Sequence, residues 1–550
     1  MKYASILLAA TAASGFYAPA AFADAGAPVK HHAKRHPIAH HAPVASNDSL
    51  LNQQVAELRA EVNALHAQLD TTHQAQTATQ AQVAQTQSQV GMLNQQVAET
   101  PKVAKAAAKQ EITVALDKEH NQGYSSYKGI RLTPGGFLEL AGVYRQHYQG
   151  NDIATSYAIP FPNNHPSYVS EGRFSARQSR VSMLAQGNVN KSTVLTMYGE
   201  FDFLGGAQTA NANESNSFNP RVRHLYGAID WNHDAGGIHF LAGQTWSLVT
   251  MNTKGITPRN ELTPPQIEAQ YIPGFVWARQ PQVRLTVDTA DHKLWAAISA
   301  ENPATTVVGT VPAIVTNTAP AGSGYDSANT LSLNGTPDFV AKVAYEGNVA
   351  GRTLHVEGFA LSRTFTAHVN GGGNVNKSGY GFGAGVVFQA VPNVLDLQAS
   401  VLGGKGIGRY GSAQLSDITF AADGTIQPVR ELLMLGGGTL HVNKMLDVYV
   451  FAGQEQEYAD DLGGGYGVGL TTANNSGCFT EGGTCSGNTR RIRQLTGGFW
   501  QKIYNGSFGR AQVGMQYSYT ERELFAGVGG MPQANQSIGL ISFRYYPFAG

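Results

Sequence analysis

Two hydrophobic periods divide this chain. In VAELRAEVNALHAQL (residues 55–69) the apolar side chains are spaced three and four residues apart, as they are on one face of a helix. From about residue 135 onward, apolar and polar residues alternate, as they do along a β-strand with one apolar face. The pattern therefore predicts a helical segment followed by a large all-β region.

The helical pattern continues through seven heptads in one register. One set of core positions is Val55, Val62, Leu69, Gln76, Val83, Val90 and Val97, and the other is Leu51, Leu58, Leu65, Thr72, Thr79, Thr86 and Leu93. So long a repeat predicts a coiled coil over residues 51–97. Alternating Val and Leu favours a dimer by the packing rules of parallel coiled coils, and the heptads alone leave dimer against trimer open.

The alternating segments are about ten residues long, the length that a tilted strand needs to cross a bilayer. In VLTMYGEFDF one face carries Leu195, Met197, Phe201 and Phe203, and the other carries Thr196, Tyr198, Glu200 and Asp202. A soluble sheet would alternate too, but lipid outside and a polar lumen inside fit an exported chain better. We predict an all-β transmembrane barrel of about sixteen antiparallel strands over residues 135–550.

The N-terminal residues have the parts of a signal peptide. Lys2 gives a charged start, an Ala-rich apolar stretch follows, and Ala21-Phe22-Ala23 forms a cleavage pattern, which predicts a signal peptide over residues 1–23. No later apolar run is long enough for a transmembrane helix, which needs about 18 residues. We expect the mature chain to leave the cytoplasm.

A polar linker and a connector flank the coiled coil. Residues 24–50 contain three prolines and five of the chain's histidines, His31, His32, His36, His40 and His41. Such a tract can bind metal, or adhere to anionic polymers when protonated, but its composition favours a solvated periplasmic spacer. Residues 98–134, with the Lys/Ala-rich KVAKAAAK, are interpreted as the connector to the barrel.

Composition excludes several classes of function. The chain has 38 basic and 38 acidic residues and only 14% charged residues, which argues against a nucleic-acid binder. It has no GxSxG nucleophile motif, so we expect no lipase-like enzyme. We also expect no cofactor. Its two cysteines, Cys478 and Cys485 in CFTEGGTC, lack the further ligands of a zinc site and are expected to form a loop disulfide.

Several strand segments carry a family resemblance. VRHLYGAIDW (222–231), FLAGQTWSL (240–248), RQPQVRLTV (279–287), PDFVAKVAYE (337–346) and GKGIGRY (404–410) together resemble the DcaP-like outer-membrane porins. The resemblance implies a trimer of sixteen-stranded barrels with a periplasmic coiled coil, passing small anions such as dicarboxylates. The C-terminus departs from the terminal aromatic residue of many bacterial barrels, since Phe548 lies two residues before Gly550.

From this resemblance we expect a homotrimer in the outer membrane. Outer-membrane lipid and lipopolysaccharide would surround it, and three helices beneath it could carry the N-terminal region towards peptidoglycan. An alternative is a structural tether between the outer membrane and the cell wall, with an occluded barrel. The long insertion over residues 303–336 could be an extracellular loop or could fold inward as a constriction.

Arginines are dense in the first strands of an otherwise charge-poor chain. We predict that the pore field comes from Arg177, Arg180, Arg223, Arg279 and Arg284, with Glu200 and Asp202 as lumen carboxylates. Alternation places Arg284 inward most clearly. Arg177 and Arg180 fall on opposite faces of a regular strand, and Arg223 has outward parity, so these three need a bulge or a strand boundary to point inward.

Overall fold

The computed structural model describes residues 124–205, 219–316 and 334–548, together with seven helical positions between residues 56 and 88. The predicted signal peptide, the linker, most of the coiled coil and most of the connector lie outside the described residues. They remain predictions. In the part of the chain that is described, no helix is long and apolar enough to cross a membrane.

Sixteen antiparallel strands form one closed barrel in the described residues. They are β1 (Ile130–Arg145), β2 (Glu171–Ser175 and Arg180–Asn188), β3 (Thr193–Gly205), β4 (Asn219–His233), β5 (Gly236–Trp246), β6 (Arg279–Asp288), β7 (Leu294–Glu301), β8 (Asp338–Val349), β9 (Arg352–Val369), β10 (Gly373–Val391), β11 (Leu395–Lys405), β12 (Arg430–Asn443), β13 (Leu446–Glu457), β14 (Thr489–Gly506), β15 (Gly509–Leu524) and β16 (Gln533–Tyr546). Strand β16 pairs with β1 from Leu138↔Tyr545 to Arg145↔Ile538, which closes the sheet. The predicted barrel is confirmed.

Connections differ at the two ends of the barrel. Short turns such as 234–235, 350–351 and 444–445 join strands at one end, which in barrels of this kind faces the periplasm. Most connections at the other, extracellular end are long. These carry the short strand pairs Ile418–Phe420 with Ile426–Pro428 and Asp460–Gly463 with Tyr466–Val468, and the 3-10 turns His165–Tyr168 and Gly408–Tyr410. A further short strand, Ser125–Tyr127, pairs with the start of β1.

The predicted faces of the strands are confirmed. Met197, Val343 and Phe339 are 60%, 61% and 55% exposed on the outside of the barrel. Lys342, which lies between the last two in sequence, is buried on the inside. Because an apolar exterior and a polar interior invert the arrangement of a soluble sheet, this pattern fits a barrel surrounded by lipid.

The connection between β5 and β6, residues 247–278, folds into the lumen, and we call it the inward loop. Its Ile267, Ile272 and Phe275 are buried in a core with wall residues that include Trp246, Tyr449, Phe451, Trp500 and Leu540. Four prolines, at positions 258, 264, 265 and 273, interrupt strand pairing in this segment. The sequence pattern indicates residues 303–336 as a segment that could fold inward and does not identify this loop.

Polar side chains of the wall bind the backbone of the inward loop. Carboxylates accept hydrogen bonds from loop amides: Glu301 from Leu248 N–H (2.8 Å), Glu357 from Asn252 N–H (3.2 Å) and Glu455 from Gly274 N–H (2.7 Å). The indole N–H of Trp500 donates to the carbonyl of Pro265 at 2.8 Å. The loop therefore crosses the barrel from β7 and β9 to β13 and β14.

The described part of the 303–336 insertion packs near the extracellular ends of the strands. Val307 forms a parallel bridge with Ile418, and Val315 bridges to Val369 at the end of β9. Both Thr306 N–H and the Thr306 hydroxyl donate to Asp417. This segment therefore packs against the loop over residues 406–429.

Candidate functional site

Two irregularities turn arginines of β2 and β4 into the lumen. Strand β2 is interrupted between Ser175 and Arg180. The alternation of a regular strand therefore does not require Arg177 and Arg180 to point to opposite faces. The register between β3 and β4 shifts between Glu200↔His224 and Phe201↔Val222, which leaves Arg223 as an extra residue. Arg223 is buried inside the barrel as a result. The strand boundary and the bulge that these arginines required are both present.

Arg180, Arg221 and Arg223 share two carboxylates of β3. Asp202 accepts hydrogen bonds from Arg221 at 2.9 and 2.7 Å and from Arg223 at 3.0 Å. Glu200 accepts from Arg223 at 2.5 Å and lies 3.8 Å from Arg180. Neighbouring arginines are therefore bridged by one carboxylate each, in the order Arg180, Arg223, Arg221.

Aromatic rings extend this series towards the periplasmic end. The guanidinium groups of Arg180 and Arg544 lie 5.1 and 4.9 Å from the ring centre of Phe137. Arg510 lies 4.4 Å from the ring of Tyr546, which in turn packs against Phe137. Cation–π contacts of this kind orient a guanidinium without neutralising its charge.

A tryptophan of the inward loop extends the series the other way. Trp277 lies between two guanidinium groups, with Arg221 at 5.9 Å and Arg279 at 5.2 Å from its ring. Arg279 also stacks on Trp246 at 4.6 Å. We define the arginine wall as the resulting series along β16, β15 and β1–β6, which consists of Arg510, Arg544, Arg180, Arg223, Arg221 and Arg279.

The arginine wall carries more positive than negative charge. Its six arginines face three carboxylates, because Arg544 pairs with Glu139 at 2.9 Å in addition to the pairs with Glu200 and Asp202. Among the described residues, Arg510 and Arg279 form no ion pair. A cavity of about 490 Å³ lies between this wall and the inward loop, lined by Arg180, Arg510, Arg544 and Lys502 with Glu200, Glu268 and Asp447. The cavity is therefore lined by charges of both signs, beside a wall with an excess of arginines.

The fold has solved counterparts. The outer membrane channel DcaP of Acinetobacter baumannii superposes with a TM-score of 0.56 at 18% identity, over 77% of this chain and 99% of that one. The fold is that of the DcaP channel. An anion-selective porin from Comamonas acidovorans matches with a TM-score of 0.41 at 10% identity, over 76% and 99% of the two chains. No family model and no curated protein matches the sequence.

Within this DcaP-like fold the predicted pore residues separate into two groups. Arg180, Arg223 and Arg279 belong to the arginine wall, together with Glu200 and Asp202. Arg177 instead binds Asp152 of the first extracellular loop and the carbonyls of Phe203 and Gly205. It holds a loop in place, and its contacts leave little of the guanidinium for a solute.

Arg284 faces inward, as its parity predicted, but lies apart from the arginine wall. Its guanidinium donates to the carbonyl of Trp246 at 2.7 Å and to the side chain of Gln282 at 3.0 Å. It also lines a second cavity of about 390 Å³ with Arg259 and Asp230. Because Trp246 is the last residue before the inward loop, Arg284 supports the loop as well as contributing charge.

Sequence reasoning missed the contribution of the last strands. Arg510 and Arg544 lie in β15 and β16 and meet β1 only because the barrel closes. Alternation could have found Arg544, which has the parity opposite to the exposed Ile541 and Phe543. No local pattern could have found Trp277, since its position depends on the path of the inward loop.

The first extracellular loop clamps the inward loop beside this site. Thr155 donates from its backbone N–H and its hydroxyl to Glu268, both at 2.7 Å. Burial raises the pKa of the Glu268 carboxyl above its ordinary value, and the nearby Arg145 guanidinium and the Thr155 bonds oppose that rise. The clamp places a carboxylate at the edge of the larger cavity.

Cys478 and Cys485 form a disulfide bond in the loop between β13 and β14. No cluster of His, Cys, Asp or Glu among the described residues has the geometry to hold a metal ion.

Proposed function

We propose that this protein is an outer-membrane porin that passes small hydrophilic solutes and favours anions such as dicarboxylates. The observation that carries the proposal is the excess of six arginines over three carboxylates along the arginine wall. The near-neutral charge of the whole chain does not oppose it, because selectivity depends on charge near the path of the ion.

The geometry of the wall suits repeated, weak binding of carboxylates. A guanidinium presents a planar fork of donors that can bind a carboxylate through two hydrogen bonds. On the wall, protein carboxylates use part of this capacity, whereas Arg279 and Arg510 form no ion pair among the described residues. A dicarboxylate could exchange between successive arginines, since each site replaces only part of its hydration shell.

Arg510 offers the clearest test of this proposal. It lines the larger cavity and has no carboxylate partner among the described residues, so Arg510→Gln removes a charge without breaking an ion pair. We expect the chloride-over-potassium permeability ratio to fall, measured as the reversal potential across a planar bilayer in a potassium chloride gradient. The matched control is Arg493→Gln, which changes the same charge at an outward position paired with Glu521. Cation preference of the wild type would disprove the anion proposal.

The assembly is part of the same proposal. We infer a homotrimer embedded in outer-membrane lipid, tied by a periplasmic coiled coil over residues 51–97 whose N-terminal extension reaches towards peptidoglycan. Deleting residues 51–97 should weaken the oligomer in native mass measurements and leave the heat-modifiable gel migration of the barrel unchanged. Loss of the barrel band would contradict separable modules, and a dimer in the intact protein would support the Val/Leu packing rule.

The second candidate is a structural tether with an occluded barrel. It is favoured by the apolar core that the inward loop builds across the lumen. Under this function, purified protein would show no single-channel conductance, and deletion of residues 24–100 would detach the envelope. Stepwise currents from the purified oligomer would exclude it.

A further inference from the structure

A row of polar side chains crosses the outer face of β9–β12 near their extracellular ends. The register places Ser362 opposite Tyr380 and places Tyr380 opposite Lys405. Lys405 in turn lies opposite Arg430. Residues that are directly opposed in antiparallel strands point to the same side of the sheet. Because Tyr380 is 46% exposed on the outside of the barrel, the whole row lies outside.

Two cations are directly opposed in this row. Lys405 and Arg430 are like charges on neighbouring strands, an arrangement that destabilises a sheet when nothing neutralises it. Among the described residues neither forms an ion pair with a carboxylate. Arg430 lies 4.3 Å from the ring of Tyr458, which keeps its charge at the surface. The pair is therefore complementary to an anion from outside the chain.

The row lies at the height of the outer lipid–water boundary. Strand β11 runs for 11 residues from the periplasmic turn to Lys405. At about 3.3 Å per residue and a tilt of about 40°, such a strand rises about 25 Å, which is about the height of the apolar band of an outer-membrane barrel. Directly below the row the outer face is apolar, with Phe382, Val401 and Met434 exposed.

An apolar groove lies on the outer face beside this row. Gly436 and Ala452 are opposed on β12 and β13, and because glycine has no side chain and alanine has only a methyl group, they leave a depression of about 580 Å³. Met434 and Leu495 also line it, together with the polar side chains of Gln454, Arg493 and Glu521. The part of the groove lined by Met434, Gly436, Ala452 and Leu495 is apolar and fits a hydrocarbon chain rather than a hydrated group. Charge above and an apolar groove below together match an amphipathic molecule with an anionic head.

We propose that Lys405 and Arg430, flanked by Tyr380 and Tyr458, bind the phosphate of a phosphorylated glycolipid in the outer leaflet, with an acyl chain in the groove of Gly436 and Ala452. Lysine and arginine both form charge-assisted hydrogen bonds to phosphate. The tyrosine rings would lie at the level of the headgroups, as interface aromatics of barrels do. The proposal depends on the barrel alone and is independent of which solute the lumen passes.

The test is native mass spectrometry of the purified full-length oligomer titrated with diphosphoryl lipid A. Binding by the double variant Lys405→Gln/Arg430→Gln should be at least about tenfold weaker than by the wild type, since two charge-assisted bonds to phosphate are lost. The control is Lys191→Gln/Lys444→Gln, which removes the same charge from short turns at the periplasmic end. This control should bind as the wild type does.

Three further arms identify the ligand. Dephosphorylated lipid A should bind the wild type no better than it binds the double variant, and equal binding of both lipids to the wild type would overturn the proposal. Displacement of lipid A by inorganic phosphate at equal concentration would assign the site to free phosphate instead. A double variant with unchanged lipid binding but an altered oligomeric mass would show that this face binds a second copy of the chain.

Discussion

Two walls of the same lumen use charge in different ways. The arginine wall has more donors than its carboxylates can accept, and aromatic rings support Arg180, Arg279 and Arg510. On β12 and β13, the buried carboxylates of Glu431, Glu455 and Glu457 accept backbone N–H groups of loops. Their donors are Ile407 for Glu431, Gly274 and Ala413 for Glu455, and Ser416 for Glu457.

The difference shows that facing the lumen does not by itself make a charge part of the pore field. A buried carboxylate that accepts loop amides is held by fixed dipoles and is shielded from an ion in the lumen. A guanidinium on an aromatic ring keeps its edge available. Both kinds of residue face the lumen, so the partners that each side chain has after folding, rather than the face it occupies, distinguish the two walls.

The largest effect is expected from Asp202→Asn, which would remove one negative charge from the arginine wall. The substitution removes the carboxylate that Arg221 and Arg223 share, and loss of one partner from a buried ion pair costs about 3–5 kcal/mol. We expect lower thermal stability in heat-modifiability gels and a higher anion-over-cation ratio in planar bilayers. Asp234→Asn, on an exposed periplasmic turn, is the control. A lower ratio would contradict the role assigned to the wall.

The second effect tests the opposite wall. Glu455→Ala would leave the amides of Gly274 and Ala413 without their acceptor, at a cost of about 1–3 kcal/mol for buried groups. We expect a loosened inward loop, seen as greater current noise in single channels, with little change in ion preference. Glu455→Gln retains an acceptor oxygen and should behave as the wild type. A reversed ion preference in Glu455→Ala would place this carboxylate in the pore field.

Arg284→Ala tests whether Arg284 mainly contributes charge to the lumen or mainly supports the inward loop. We expect it to have a smaller effect on ion preference than Arg510→Gln. Its guanidinium holds the carbonyl of Trp246, so we expect increased current noise and a nearly unchanged permeability ratio. The measurement is the reversal potential of both variants in the same salt gradient. If Arg284→Ala lowers the ratio as much as Arg510→Gln does, the sequence-based assignment of Arg284 to the pore field is supported instead.

The smallest effect on the channel is expected from reducing the disulfide between Cys478 and Cys485. The bond closes a short surface loop that packs with Ile159, Phe161 and Leu524, away from the arginine wall. Stabilisation from so short a loop is on the order of 2–3 kcal/mol at most in the chain-entropy model. Conductance should be unchanged by reductant, and thiol labelling should require reduction. Labelling without reductant would contradict the bond.

Much of the barrel could be predicted from alternation because each strand is a local pattern with an apolar and a polar face. Leu195, Met197 and Phe201 lie outside, as predicted, and Glu200 and Asp202 lie inside. Alternation was insufficient where the strands are irregular. Arg223 has outward parity in the sequence, and only the register shift between β3 and β4 turns it inward.

The sequence by itself determined the alternating strands, the length of strand suited to a bilayer and the density of arginines. Only the tertiary structure decided which arginines act together. Closure of the barrel brings Arg544 of β16 beside Phe137 of β1, although the two are far apart along the chain. The inward loop places Trp277 between Arg221 and Arg279. The physical reason is that local patterns specify which face a side chain occupies, whereas its neighbours across the lumen depend on how all sixteen strands and the loop pack.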